Sequence, residues 1–147
     1  MEFTQNLGLT RIATTLIACV LTLACVSTAF ASNSTDTHFT FNFSGGKPQV
    51  TEFRSKTDAT NVYMSVEGVE NEFVAHVVGS DDNVNPNPTL GTDCSHNYTY
   101  TIRQPGVVRM RNWVYDGAHR FKYAAIYAAP SYGFEFGAWG LWSPDSV

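Results

Sequence analysis

Cys94-Ser95-His96 is the one place in this 147-residue chain where a thiol lies near an imidazole in sequence. Nucleophilic chemistry would have to be built there. A thiolate nucleophile needs a base within reach and a lowered pKa. His96, or the distant His119, would be the base. The setting, Thr92-Asp93-Cys94-Ser95, reads as a loop-to-strand junction, not as the helix N-terminus that usually lowers a thiol pKa. Cys94 therefore reads as a partly buried or free thiol, with an intermolecular disulfide as the second reading. A G-x-S-x-G nucleophile elbow is not present.

Metal chemistry has equally little to work with. His38, His76, His96 and His119 are scattered, with no H-x-x-x-H pair, whereas zinc needs three or four convergent ligands. Asp81, Asn83, Asn85 and Asn87 alternate in the manner of a calcium loop. The EF-hand form requires Gly at the sixth place and Glu at the twelfth, and those places hold Pro86 and Thr92. A looser calcium site stays open, but an Asx-rich solvated loop explains the residues. Glu67, Glu70 and Glu72 cluster as a glycosidase pair would, yet they flank a turn at Gly68, where solvated hairpin ends account for them. The expectation is no catalytic residues, no metal and no cofactor.

Aromatic side chains are the distinctive feature. Three Trp and seven Tyr stand beside ten Phe. Phe belongs mostly to a core, whereas Tyr and Trp carry polar tips that let them sit at surfaces. Tyr132, Trp139 and Trp142 lie in a Gly-rich stretch bounded by Ser and Pro. Exposed planar rings stack on sugar faces or anchor protein contacts. Tyr132, Trp139 and Trp142 are the expected binding residues, with Arg109 and Arg111 as their polar partners. Trp113 and one of the C-terminal pair are alternatively core.

The elements that must position them are strands. Alternation and β-branched or aromatic runs dominate, and no helix-period segment of convincing length occurs. Phe39, Phe41 and Phe43 share one face of a strand; Val62, Met64 and Val66 share one face of another. Val50–Ser55 reads as a strand with Phe53 inward. Gly68–Asn71 reads as a turn after which Glu72–Val78 returns as a hairpin partner. The Pro- and Asn-rich stretch Gly79–Asp93 is a surface loop. Asn97–Ile102, Val107–Tyr115, Phe121–Ala128 and Tyr132–Trp142 complete the set. Phe121–Ala128 is apolar on both faces and reads as a central strand. Asp116-Gly117 signals a tight turn. About eight short strands, with turn signals every ten residues or so, predict a single all-β antiparallel sandwich, jelly-roll-like.

Residues 1–31 read as a cleavable signal peptide. Arg11 is followed by the apolar run Ile12–Val26 and by Ala29-Phe30-Ala31, an A-x-A peptidase site. The run is shorter than the ~20 residues a spanning helix needs. Lipidation at Cys19, after Leu16-Ile17-Ala18, is the minor alternative. Residues 32–147 are then one domain, large enough for one core. Cleavage removes Glu2 and Arg11 together, so the net charge of −4 stands. That balance opposes binding to nucleic acid and to anionic membranes. Cys19 and Cys25 leave with the leader, so Cys94 has no intramolecular disulfide partner. A low-cysteine exported chain suits a bacterial, Gram-positive producer.

The second half also resembles a known group. Asn112-Trp113-Val114-Tyr115-Asp116-Gly117, Tyr123-Ala124 and the ending Gly140-Leu141-Trp142-Ser143-Pro144-Asp145-Ser146 are similar to an uncharacterised family of small secreted Gram-positive (Firmicute) proteins with a C-terminal G-x-W-S-P-D-S motif. The resemblance covers the last third of the chain and the export layout. It implies Gram-positive secretion and a β fold, and it lends no catalytic residues. The expected function is that of a secreted, extracellular, non-enzymatic module. Its partner would be a cell-wall glycan, another extracellular protein or a target cell in a bacteriocin-like role. A small secreted hydrolase and a self-assembling surface protein are the alternatives.

Overall fold

The computed structural model describes residues 33–83, 87 and 89–146. The expected signal peptide and Cys19 lie outside the described residues, as do residues 84–86 of the alternating Asp81–Asn87 segment.

Ten antiparallel strands form two sheets, and no helix occurs among the described residues. The first sheet holds β1 (Thr37–Phe43), β10 (Phe136–Ser143), β4 (Val62–Val69) and β8 (Gly106–Met110), in the order β1-β10-β4-β8. The second holds β2 (Gln49–Val50), β9 (Tyr123–Pro130), β5 (Phe73–Ser80) and β6 (Thr92–Asp93) in that order. Within it β3 (Arg54–Ser55) also pairs with β9, and β7 (Tyr100–Ile102) with β5. This is the all-β sandwich that the alternation predicted.

The pattern of two dictates the core. In β1 the three Phe are buried while His38, Thr40 and Asn42 face water. In β4, Val62, Met64 and Val66 point inward. From the second sheet, Phe73, Ala75 and Val77 of β5 and Ala124, Ile126 and Ala128 of β9 meet them in one continuous cluster. Phe41, Phe43, Phe73 and Phe136 pack ring to ring, with centroids 4.7–6.0 Å apart, in the tilted and edge arrangements aromatic quadrupoles prefer. β9 is central in its sheet, flanked by β5 on one side and by β2 and β3 on the other, which explains its two apolar faces.

Three expectations about elements are corrected. The stretch Val50–Ser55 is two strands, because Thr51 turns its hydroxyl to accept the Ile126 amide and interrupts the ladder. Val107–Tyr115 ends as a strand at Met110, where the Asn112 amide donates to the carbonyls of Thr60 and Met110 and the Trp113 amide bonds to Cys94. The predicted β4–β5 hairpin is not formed. β4 pairs with β10 and β8, and β5 with β9, β6 and β7. The Glu70 amide bonds to the Gly137 carbonyl at the start of β10, and the Ser131 amide to the Glu72 carbonyl at the end of β9. The turn is therefore a bridge between sheets.

Candidate functional site

The two outer faces of the sandwich differ. On the second sheet Val50, Phe53, Val78 and Ala125 form a small buried cluster, flanked by Tyr123 and Tyr127, so much of that face is sealed by the β2–β3 segment. The outer face of the first sheet carries side chains from β1, β10, β4 and β8 that remain open to solvent to varying degrees.

Strand register places them in rows. At one end Thr40 of β1 stands beside Trp139 of β10, which stands beside Gly68 of β4. A β-bulge between Trp139 and Gly140 shifts the register there. A methyl group at Gly68 would overlap the six-membered ring of Trp139, so the indole lies over the glycine, and 43% of the residue stays exposed. In the middle, His38, Leu141, Ser65 and Val107 form a cross-strand row. At the far end Ser143 pairs with Tyr63 and Tyr63 with Arg109, whose guanidinium sits 5.8 Å from the Tyr63 ring centre. From Gly68 to Tyr63 the strand rises about 16 Å. A cavity of about 260 Å³ opens at that far end, lined by Ser34, Asp36, Tyr63, Arg109, Ser143, Asp145 and Ser146. The strip thus runs from an aromatic ring at one end to hydroxyls and charges of both signs at the other.

Two of the five sequence-predicted binding residues, Trp139 and Arg109, share this face. Trp142 does not. It is wholly buried in the main core, beneath Arg54 at 5.4 Å, and has no face to offer a partner. The reason is parity: Trp139 and Trp142 are an odd number of residues apart in one strand, so they point to opposite sides. Tyr132 is exposed in the β9–β10 connection, paired with Phe134 at 6.4 Å. Arg111 lies past the end of β8, its guanidinium 5.9 Å from the Trp113 ring, on whose indole His96 stacks at 4.0 Å. Neither Tyr132 nor Arg111 belongs to an outward row of the first sheet.

The sequence pair Cys94 and His96 is split. Cys94 is buried, and burial, reinforced by the Asp93 charge, pushes its thiol up to about 11. His96 sits at positive φ in an exposed turn. A thiol so placed is a poor nucleophile. His119 bonds to Asp81 at 2.9 Å. Among the described residues no group of three His, Cys, Asp or Glu side chains converges as metal ligands would.

Residues 27–146 match the family described as a protein of unknown function, DUF2712. The chain belongs to that family. No curated protein and no solved structure matches it. Membership of an uncharacterised family, the coarser part of the resemblance, is thereby shown. In this DUF2712 protein one buried polar cluster was missed by sequence reasoning. Lys56 and Asp145 form an ion pair at 2.6 Å, with neither side chain exposed. The pair is 89 residues apart in sequence, and no local motif signals it.

Proposed function

We propose that this protein is an exported, non-enzymatic binding module of a Gram-positive bacterium, and that it holds cell-surface glycan along the outer face of the β1-β10-β4-β8 sheet. The observation that carries the reading is Trp139, a solvent-facing indole laid over Gly68 on a rigid strand. A pyranose presents an apolar C–H face and a rim of hydroxyls. The indole suits the first, and the far cavity, with Arg109, Asp36 and three serines, suits the second. Sites built on strands hold such groups more precisely than sites on loops. The length of the strip suits an extended polymer more than a single sugar. Export rests on residues 1–31, with the apolar run before Ala29-Phe30-Ala31.

The test is co-sedimentation of the purified protein with isolated Gram-positive cell walls and with intact cells. Binding by the wild type, and its loss in folded Trp139→Ala and Arg109→Ala variants, is the expected result. Protein that stays in the supernatant removes the glycan reading and moves the weight to a protein partner, self-assembly or a hydrolase.

A further inference from the structure

The Lys56–Asp145 cluster is arranged as two reactants, not only as an ion pair. Lys56 Nζ lies 2.6 Å from Asp145 Oδ1 and donates also to the Thr60 carbonyl at 2.7 Å. The other carboxylate oxygen, Oδ2, accepts from the Asn33 amide at 2.9 Å, the Thr57 amide at 3.1 Å and the Thr57 hydroxyl at 2.6 Å. A second carboxylate, Asp58, stands 3.6 Å from Nζ and is itself fixed by the Thr60 amide at 2.8 Å. Both reacting side chains are fully buried, so bulk water is kept from the reacting atoms.

We propose that Lys56 and Asp145 condense to an intramolecular isopeptide bond, with Asp58 as the proton carrier. The ammonium first gives a proton to Asp145 Oδ1, leaving a neutral amine and a neutral acid. Nζ attacks the carboxyl carbon, and the C–N bond forms as the charge moves onto Oδ2. The three donors on Oδ2 then hold the oxyanion, the arrangement that stabilises acyl-transfer intermediates. Asp58 takes a proton from the nitrogen and delivers it to Oδ1. The C–Oδ1 bond breaks, water leaves and the Oδ2 carbonyl reforms. One ammonium and one carboxylate become one amide and one water, with no oxidant or co-reactant. Contact between the partners is held by the fold, which converts a bimolecular condensation into an effectively unimolecular one.

The bond would tie the residue after β3, in the second sheet, to the residues after β10, in the first. It would occupy the place a disulfide takes in many small exported domains; among the described residues Cys94 is a buried free thiol. The inference does not depend on glycan binding: Asp145 also lines the far cavity, but the covalent bond is read by mass and not by binding.

Mass spectrometry of the full chain after tryptic digestion tests it. Ser55–Arg103 joined to Tyr123–Val147, one water lighter than the two peptides together and uncleaved after Lys56, is the expected product. Separate peptides cut after Lys56 overturn the proposal. The wild type alone decides this, so no variant has to fold. In a folded Asp58→Ala variant the joined peptide should be absent; its presence would overturn the role given to Asp58.

Discussion

Trp142 and Trp139 differ by three positions in one strand, and the fold assigns them opposite duties. Trp142→Ala removes a ring that is wholly buried among Phe39, Met64, Ala138 and their neighbours in the main core. Truncating a buried Trp or Phe costs about 3–5 kcal/mol, through lost transfer energy and the cavity left behind. Domains of this size have only ~5–15 kcal/mol in total. At roughly 4 °C per kcal/mol, the melting temperature should fall by about 12–20 °C. Trp139→Ala removes a ring that is 43% exposed, and should cost about 1 kcal/mol. A third variant sharpens the comparison. The Trp142 indole nitrogen has no hydrogen-bond partner among the described residues, so Trp142→Phe loses volume but no bond and should cost about 1–2 kcal/mol. Urea and thermal unfolding of the three variants measure this. Equal costs for Trp142→Ala and Trp139→Ala would refute the facing of β10, and with it the site.

Three further outcomes follow from particular contacts. Gly68→Val should displace the Trp139 ring and abolish wall binding while leaving a folded protein, measured by co-sedimentation and circular dichroism. Burial lowers the pKa of His76, stacked on Tyr127 at 4.6 Å, with the Asp93 charge opposing the shift. The folded state therefore binds fewer protons than the unfolded chain just below pH 6.5. Stability should fall as pH drops through 6.5 towards the lowered folded value, and His76→Phe should flatten that part of the pH–stability curve. Cys94, with its thiol pushed up to about 11, should resist iodoacetamide at pH ~8 in the native protein and react in urea, as read by mass. Rapid native labelling would contradict its burial.

The strands were legible wherever one face is dry. Phe39, Phe41 and Phe43, or Val62, Met64 and Val66, carry their facing in the period of two, and the apolar run ending at Ala128 carries its central place in a sheet. Sheet membership was not legible. The turn signal at Gly68–Asn71 is the same whether the chain folds back on itself or crosses to the other sheet, and only distant bonds to Gly137 and Ser131 decide it. The site was half legible. Aromatic surplus pointed to β10, the strand that carries the proposed contact, and parity within that strand would have separated exposed Trp139 from buried Trp142. Lys56 and Asp145 were invisible, because residues 89 apart meet only through the topology, and a Lys beside a turn reads as solvated until its burial is known.

Titration of soluble Gram-positive cell-wall glycan fragments into the purified protein, followed by calorimetry, tests the central claim most directly. The account predicts saturable binding by the wild type, lost in Trp139→Ala and retained in Tyr132→Ala, whose ring lies in the loop and off the sheet face. Absence of heat with the wild type, or equal binding by wild type and Trp139→Ala, would contradict it.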